Sequence, residues 1–357
     1  MIFKQTKYTL LPSLLLIVCF FSCQQQDKHR QIDAVIKDFH TQGAFNGAIL
    51  VAQNGTVVYD TVIGLADFTT KKDLQPDSPF YLASLSKQFT AMGIMLLAQK
   101  QLLNYNDPVS KYLPELPEYA KSITIRNLLN HTSGLKDYFE SPGLIKPGLT
   151  NQQVFHWLQN EKKLNFAPGE KYEYSNTGYL LLSLIIEKVS SKPFALFMKE
   201  SIFDPLKMEH TQVFEANTTA IKNRVAGFDK NSKPDDYNIL TTGDGGIFAT
   251  THDLFIWDQA LSSNRLLKDT VLEEAFTKPR LNNGTYSDYG FGWNIIEDDT
   301  KKVVFHTGGL NGYRTMIWRD LDKKITIILL TNNGDALQMW PVTNAVLAIM
   351  GGKKYVE

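Results

Sequence analysis

Residues 78–98 read SPFYLASLSKQFTAMGIMLLA, and this stretch marks the centre of the fold. From residue 89 onward its only polar side chain is Thr90, so the segment predicts a helix that is apolar on nearly every side. Such a helix belongs in the core of a protein rather than on its surface. Pro79 suits the approach to a helix, and we expect Ser84 to be the N-cap, with its hydroxyl near the unpaired N–H groups of the first turn.

Ser84 and Lys87 are three residues apart, so helical geometry places both side chains on one face at the open end of this buried rod. An ammonium that loses hydration there favours its neutral form, and a serine beside an amine is one way to make a nucleophile. The structural alternative is a capping serine and a lysine that extends to solvent. A second Ser-x-x-Lys match, Ser133 to Lys136, contains Gly134, which reads as a helix stop.

The composition is that of an ordinary globular protein. Of 357 residues, 43% are hydrophobic and 21% are charged, which allows one large domain or two interlocked lobes. Lysine plus arginine equals aspartate plus glutamate at 37 each, so no basic field is available for nucleic acid. The seven histidines and 23 glycines form no zinc or phosphate-loop signature, so we expect no metal and no cofactor.

The N-terminal residues 1–23, MIFKQTKYTLLPSLLLIVCFFSC, hold two lysines, an apolar run and a small residue before Cys23. This pattern predicts a signal peptide, because the segment is too short and wrongly flanked for a spanning helix. Its end is similar to a bacterial lipobox, with an aromatic residue where leucine is usual. We therefore expect a lipid on Cys23, and the alternative is an uncleaved membrane anchor.

In either case the run 24–28 is expected to be a short tether, and the folded body is expected to be exported, periplasmic or surface facing. Cys19 and Cys23 are the only cysteines of the chain. The domain over 24–357 would therefore hold no disulfide, although the compartment permits one.

Strand patterns lie towards both ends of the chain and helical patterns fill its middle. Helical spacing predicts a first amphipathic helix over 28–42, and two β-rich runs around Asn54-Gly55 predict a hairpin. Residues from about 75 to 280 are mostly helical in period, strands return after 286, and a helix near 338–350 closes the chain.

The simplest packing of these elements is an α+β fold with one antiparallel sheet built from the N- and C-terminal strands and flanked by the first and last helices. We predict an α/β lobe over about 28–75 and 286–357, and a mostly helical inserted lobe over about 76–285. A functional site in such a body belongs in the cleft between the lobes.

Two further short motifs accompany Ser84. Tyr174-Ser175-Asn176 lies between a Pro-Gly turn and the start of a helix, and His306-Thr307-Gly308 lies at the end of an apolar strand, followed by Gly309. Each motif alone is weak. Taken singly, Tyr174 reads as a half-buried tyrosine with a satisfied hydroxyl, and His306 as a histidine at a strand end.

Together, in this order and these settings, the three motifs resemble the serine β-lactamase and penicillin-recognising family, in its class C, DD-peptidase and esterase branch. The resemblance extends over about 30–350 and includes ITIRNLLNHTSGL, FAPGEKYEYSNTGY, GDGGIFATTHDLFIW, YGFGW and HTGGLNGYRT. It implies a β-lactamase/transpeptidase-like fold. The absence of a Gly-x-Ser-x-Gly sequence argues against the α/β-hydrolase fold.

The resemblance implies that Ser84 is the nucleophile and that Lys87 and Tyr174 take and return its proton. It implies that Asn176 holds the substrate amide or the lysine. This chemistry needs a neutral amine or a phenolate, which burial or neighbouring cations must favour. The sequence does not decide whether Lys87 or Tyr174 is the principal base.

The resemblance also implies that His306 and Thr307 line the opposite wall of the cleft. The backbone N–H groups of Ser84 and Gly309 would form the oxyanion hole, whose donors are often the largest single contribution to such catalysis. Most class C β-lactamases carry Lys-Thr-Gly where this chain has His306-Thr307-Gly308. Because a histidine is only partly charged near neutral pH, efficient β-lactam turnover is in doubt.

Other residues are assigned mainly structural roles. Asp244-Gly245-Gly246 is expected to form a tight turn at the cleft floor, and Thr250 with Asp253 a capping box. The tryptophans at 257, 293 and 318 are expected in the core, and the alternative for Trp293, in YGFGW, is a position at the border of the cleft.

The leading hypothesis is a lipid-anchored serine hydrolase that forms an acyl-enzyme on Ser84 and acts on an amide or an ester. The substrate is a small molecule or a peptide, such as a D-amino-acid peptide of the cell wall. Peptidase and esterase are not ranked. The alternatives are a true class C β-lactamase and a non-catalytic lipoprotein that binds peptidoglycan or a protein partner.

Overall fold

The structure of the protein is a computed structural model that describes residues 11–216, 218, 220–299, 301–336 and 339–352, with only the backbone for 11–24 and 336. Its helices are α1 Leu11–Thr41, α2 Lys87–Gln99, α3 Ile125–Leu129, α4 Asn151–Asn160, α5 Asn176–Ser190, α6 Phe194–Met198, α7 Asp204–Leu206, α8 Thr251–Ala260, α9 Asp269–Leu272 and α10 Met339–Met350. Its strands are β1 Gly47–Gln53, β2 Thr56–Ile63, β3 Leu65–Asp67, β4 Lys72–Asp73, β5 Phe80–Tyr81, β6 Gln212–Val213, β7 Ile247–Ala249, β8 Asn294–Asp298, β9 Lys301–Leu310, β10 Tyr313–Asp320 and β11 Ile325–Thr331.

The main sheet joins the two ends of the chain, as predicted. Its six strands lie in the order β2-β1-β11-β10-β9-β8, and all neighbours are antiparallel. One face packs on α1 and α10 around residues such as Ile36, Trp318 and Val346. The other face packs on the inserted helical elements. The α+β prediction is therefore confirmed.

The predicted hairpin at Asn54-Gly55 is present. Both residues have positive φ, 52° and 72°, which is the conformation that a two-residue hairpin turn of this type requires. The turn connects β1 to β2, and β1 pairs on its other side with β11 from the far end of the chain. This pairing closes the α/β lobe around the insertion.

Helices α2 and α5 form the centre of the inserted lobe. From Lys87 to Leu97 every residue of α2 is buried, which confirms the prediction of a core helix. A small sheet of β5, β7 and β6 lies beside them. Its strands are two or three residues long, too short to produce an alternating pattern in the sequence.

The run 24–28 is helical in the structure. Helix α1 is continuous from Leu11 to Thr41, and the role of this run as a short tether stays a prediction. None of the helices in the described ranges combines the length and the apolar character that a membrane crossing requires. Residues 1–10 of the predicted signal peptide lie outside the described residues, and the boundary at residue 23 stays a prediction.

Candidate active site

Ser84 lies in a 3₁₀ turn, Ala83–Ser86, that leads directly into α2. The prediction that Ser84 caps the helix is wrong, since α2 begins at Lys87 and Ser86 occupies the preceding position. Ala83 has a φ of +49°, a left-handed conformation that is unfavourable for alanine and that occurs at functional sites. The hydroxyl of Ser84 is therefore not used for capping and is partly exposed at the edge of a cleft.

The 3₁₀ turn rests on the sheet. The Thr315 hydroxyl donates a hydrogen bond to the Leu82 carbonyl at 2.7 Å. A Cβ atom at Gly308 would lie 2.2 Å from the same carbonyl oxygen and 3.2 Å from the Ser84 nitrogen. The absence of a side chain at Gly308 thus lets β9 approach the backbone of Ser84.

Lys87 connects two of the three predicted motifs and the cleft floor. Its Nζ donates hydrogen bonds to Ser84 Oγ at 3.1 Å, to Asn176 Oδ1 at 2.8 Å and to the Asp244 carbonyl oxygen at 2.8 Å. The side chain is completely buried. Three acceptors satisfy the three donors of an ammonium and fix its position beside the serine.

Burial lowers the pKa of Lys87 from its ordinary value of 10.5 to about 8, because a buried ammonium loses hydration. The carboxylates of Asp244 and Asp137 oppose this shift by attraction. A pKa near 8 leaves a useful fraction of neutral amine at neutral pH, which is what a general base requires.

Asn176 is the first residue of α5, and its amide is held from two sides. Its Oδ1 accepts from Lys87, while its Nδ2 donates to Asp137 Oδ2 at 2.8 Å. The Asn176 backbone N–H donates to the same carboxylate oxygen at 3.1 Å. Of the two roles predicted for Asn176, the structure thus shows contact with the lysine.

Tyr174 completes the group around Ser84. Its ring centroid lies 4.9 Å from Lys87 Nζ, and its phenol interacts with the Ser84 side chain. Burial raises the pKa of Tyr174 well above 10, with the contact to Ser84 opposing the shift. Tyr174 is therefore a neutral phenol at neutral pH, whereas Lys87 is the group that can be deprotonated, which favours the lysine as base.

His306 differs from the prediction. It is buried, 3% exposed, and burial together with the nearby Lys87 ammonium lowers its pKa to about 3. It is therefore a neutral ring and not the partly charged group that the sequence suggested. Its Nδ1 lies 2.6 Å from the Thr307 carbonyl oxygen and its Nε2 lies 2.8 Å from the Tyr289 hydroxyl oxygen. Both ring nitrogens are therefore used in contacts that support the site.

A cleft of about 300 Å³ opens over the serine. Its wall includes Ser84, Asn176 and Gly309 of the predicted site, together with Asp244 and Gly245 of the predicted floor. Mainly apolar side chains complete the lining: Tyr81, Ala83, Phe139, Ile239 and Leu310. His306 and Thr307 are not among the lining residues, so the strand contributes to this cleft through Gly309 and its neighbour.

Residues 32–349 match the protein family described as Beta-lactamase, which covers most of the 357 residues. The chain belongs to the beta-lactamase family. The recognition of the family from three short motifs is thereby confirmed, and so is the β-lactamase/transpeptidase-like fold.

Relatives of this beta-lactamase family member carry several names. Penicillin-binding protein 4* of Bacillus subtilis (strain 168) is 39% identical over 329 residues, which are 86% of this chain and 72% of that protein. Protein flp of Staphylococcus aureus (strain NCTC 8325 / PS 47) is 30% identical over 325 residues, 86% of this chain and 63% of that protein. The D-aminopeptidase of Brucella canis is 28% identical over 295 residues, which are 80% of this chain and 56% of that protein. The chain thus spans less than two thirds of the last two proteins.

Solved structures agree on the fold. The octameric penicillin-binding protein homologue from Pyrococcus abyssi has a TM-score of 0.79 and 25% identity, over 90% of this chain and 77% of that one. The D-amino acid amidase from Ochrobactrum anthropi SV3, complexed with L-phenylalanine, has a TM-score of 0.76 and 25% identity, over 91% of this chain and 98% of that one.

An aromatic support that the sequence patterns did not reveal lies behind the predicted residues of this beta-lactamase fold. The ring of His131 lies 4.2 Å from that of Tyr174 and 4.5 Å from that of Tyr289, between centroids. The Ser175 N–H donates to His131 Nδ1 at 3.1 Å. Burial lowers the pKa of His131 well below 6.5, so this ring is also neutral. HTSGL and YSDYGFGW are the sequences that supply the two rings, but nothing in them shows that the rings meet.

Asp137 was also missed as a site residue, although it lies in the segment HTSGLKD, residues 131–137, which overlaps the quoted ITIRNLLNHTSGL. The Ser-x-x-Lys match in that segment does not form a second site. Ser133 is buried and accepts from the Leu135 N–H, while the Lys136 ammonium pairs with Glu161. These two side chains serve separate structural contacts, as the intervening Gly134 indicated.

The remaining expectations concern support. All three tryptophans lie in the core, and Trp293 is only 2% exposed, so it does not border the cleft. Thr250 accepts from the Asp253 N–H, which gives half of the expected capping box. The Asp253 carboxylate instead accepts from the His210 N–H and the Thr211 hydroxyl, and so ties α8 to β6.

Proposed function

We propose that this protein is a serine hydrolase that cleaves the amide bond of a small peptide or amino-acid amide through an acyl-enzyme on Ser84. The observation that carries the proposal is the hydrogen bond of 3.1 Å between a completely buried Lys87 and the Ser84 hydroxyl. A nucleophile in contact with an amine whose pKa lies near 8 is the arrangement that acyl transfer needs.

In the proposed reaction the neutral Lys87 amine takes the Ser84 proton as the serine oxygen forms a bond to the substrate carbonyl carbon. Asn176 and the Asp244 carbonyl oxygen accept from Lys87 and hold the new ammonium in place. When the tetrahedral intermediate collapses, the leaving amine takes a proton and departs. Water then attacks the acyl-enzyme and restores the serine.

Tyr174 is suited to relay the proton to the leaving group. Its phenol contacts Ser84 and is neutral, so it has a proton to give, and it can take one back from Lys87. The carbonyl oxygen is proposed to lie between the backbone N–H groups of Ser84 and Gly309, whose residues line the same cleft.

The substrate class is supported by the relatives. One relative is named a D-aminopeptidase and another a penicillin-binding protein, and a structure with 25% identity is a D-amino acid amidase. We therefore favour an amide of a D-amino acid over an ester. Efficient β-lactam turnover is not favoured, because the neutral, buried His306 supplies no cation where Lys-Thr-Gly enzymes have one.

The test uses the body without residues 1–23 and intact-protein mass spectrometry. The protein is incubated with a D-phenylalanine amide, a fluorescent penicillin or a p-nitrophenyl ester, and each reaction is repeated with Ser84→Ala. We expect amide turnover that the variant abolishes. Turnover by Ser84→Ala would contradict the assignment, and inertness towards all three probes would favour the alternative of a binding lipoprotein.

We also propose that Cys23 carries a lipid and that the body is exported. The support is the sequence pattern of residues 1–23. In cells fed an alkyne-tagged fatty acid, Cys23→Ala should lose the label. Cys19→Ala is the matched control and should keep it. Equal labelling of both variants would contradict the proposal.

A further inference from the structure

Asp244 lies at the floor of the cleft beside Lys87. Its carbonyl oxygen accepts from the Lys87 ammonium at 2.8 Å, and its side chain belongs to the same buried region, with the residue 4% exposed. The tight turn at Gly245 and Gly246 was expected here, but a buried carboxylate on the residue whose carbonyl holds the catalytic lysine was not. A carboxylate has little reason to be buried unless a charge or a donor compensates it.

The carboxylate is held on one side only. Its Oδ2 accepts from the Tyr138 hydroxyl at 2.7 Å, and that hydroxyl lies 2.9 Å from Thr241 Oγ1. Among the described residues, no group hydrogen-bonds to the buried Oδ1. An ionised carboxylate with one unpaired oxygen depends on the nearby Lys87 charge for its compensation.

We propose that Asp244 is a positioning residue that determines the pH at which Lys87 can accept the proton of Ser84. The inference rests on the proposed function, since it assigns a role in the same acyl transfer. Asp244 would hold the ammonium through its carbonyl oxygen and oppose its deprotonation through its carboxylate.

The charges around Lys87 support this role. The two carboxylates that attract it are Asp244 and Asp137, and the histidines at 131 and 306 are neutral. The aromatic rings of Tyr174 and Tyr179 lie 4.9 and 5.7 Å from Nζ. Attraction by Asp244 is the largest effect that opposes burial, so Asp244 is the main counter-charge of the lysine.

The groups that face Asp244 itself are mostly neutral. Tyr138, Tyr81 and Tyr237 are buried phenols whose pKa values burial raises far above neutral pH. Burial raises the pKa of Asp244 to about 6, against the attraction of Lys87. The carboxylate is therefore ionised above about pH 6, where Lys87 is still mostly an ammonium.

Removal of the Asp244 charge should lower the pH at which Lys87 loses its proton. Activity requires neutral Lys87, so the rate of acylation should rise as pH increases through the pKa of the lysine. Asp244→Asn removes a negative charge that stabilises the ammonium, so the lysine should lose its proton at lower pH. We expect the rising limb of the pH profile to move down by about one pH unit, the usual size for a close opposite charge.

The test measures the rate of Ser84 labelling by a fluorophosphonate from pH 5 to pH 10, which needs no knowledge of the natural substrate. In this step the Ser84 oxygen bonds to phosphorus, fluoride leaves and the serine proton passes to Lys87. Wild type and Asp244→Asn are compared, with Asp253→Asn as control. Asp253 is also buried, and its carboxylate accepts from the His210 N–H and the Thr211 hydroxyl, but it lies on α8 away from the lysine.

Both variants should lower the melting temperature, but only Asp244→Asn should move the limb. An unmoved limb, or a limb moved to higher pH, in a folded Asp244→Asn protein would overturn the inference while the proposed function stands. A wild-type protein that is not labelled at any pH would overturn both. If Asp244→Asn does not fold, Tyr138→Phe is measured instead. Without the phenol donor the Asp244 carboxylate ionises less readily, so the rising limb should move to lower pH by a smaller amount. An unmoved limb in Tyr138→Phe would overturn the inference.

Discussion

Lys87 donates a hydrogen bond of 2.8 Å to the Asn176 side-chain oxygen, and this contact ties the buried helix α2 to the first residue of α5. The two residues are 89 positions apart in the chain. The contact fixes the lysine beside Ser84, and Asp137 in turn fixes the amide. The site is therefore held by a chain of side chains from two helices and one loop.

The first prediction concerns the base. Lys87→Ala should reduce the rate of Ser84 labelling by about 100-fold or more, the size typical of general base removal. Tyr174→Phe should slow amide turnover, because the leaving group loses its proton donor. Circular dichroism should show that both variants keep the fold. Wild-type labelling of Lys87→Ala together with wild-type amide turnover by Tyr174→Phe would show that the proton-transfer roles are wrong even if Ser84 is the nucleophile.

The second prediction concerns Asp137. Asp137→Ala removes the acceptor for both Asn176 donors, so the amide is free to rotate and Lys87 loses a fixed partner. We expect a loss of about 10-fold in kcat, because misplacement of a positioning residue slows a reaction without removing its reactive groups. Asp67→Ala is the control, since Asp67 also accepts from two backbone N–H groups, in the loop between β3 and β4. Equal kcat values for the two variants would contradict the role of Asp137.

Much of this site was predictable because its residues form local patterns. The α2 segment is apolar on all sides, and Ser84 with Lys87 needs only one turn of chain to meet. The contacts that were missed join distant segments: Asp137 to Asn176, and His131 to Tyr289. No periodicity reports such pairs, since they depend on how the lobes pack.

The error at His306 has the same cause. The sequence shows a histidine at a strand end, where an exposed ring would be partly charged. The structure buries the ring against Tyr289 and near Lys87, and both the lost hydration and the like charge disfavour its protonated form. In the structure His306 lies inside β9, which continues to Leu310, and its burial there is set by the neighbouring lobe, which the strand's own sequence does not contain.

The third prediction follows from this burial. His306 should stay neutral at pH 5, because its pKa is lowered to about 3, whereas a free imidazole titrates near pH 6.5. Its contacts specify a tautomer with the proton on Nδ1, donated to the Thr307 carbonyl, and with Nε2 accepting from Tyr289. Nitrogen NMR chemical shifts of the histidines can read both properties. A His306 ring that titrates near pH 6.5 would contradict the buried arrangement.

The fourth prediction concerns the stability of the sheet. Arg319 and Asp258 form an ion pair with an Nε to Oδ1 distance of 2.6 Å and side chains that are 4% and 3% exposed. Arg319→Met leaves the carboxylate buried and unpaired, so the free energy of unfolding should fall by about 3–5 kcal/mol. Lys37→Met breaks the exposed pair with Asp33 and should cost about 1 kcal/mol or less. Urea unfolding measures both, and equal losses would contradict the importance of burial.

The last prediction separates two adjacent glycines of β9. A Cβ at Gly308 would lie 2.2 Å from the Leu82 carbonyl oxygen, which no flexible side chain can relieve because the obstacle is backbone. A Cβ at Gly309 would find its nearest neighbour, Arg314 Cδ, at 3.4 Å, which is ordinary contact. Gly308→Ala should therefore push the Ser84 turn away from the strand and lower Ser84 labelling by about 10-fold or more. Gly309→Ala should keep most of the labelling rate, because its backbone N–H is unchanged. A larger loss of labelling in Gly309→Ala than in Gly308→Ala would contradict this prediction. The methyl group at 309 would then have to obstruct the bound reagent, and the close approach of Gly308 to Ser84 would not be the main requirement of this strand for labelling.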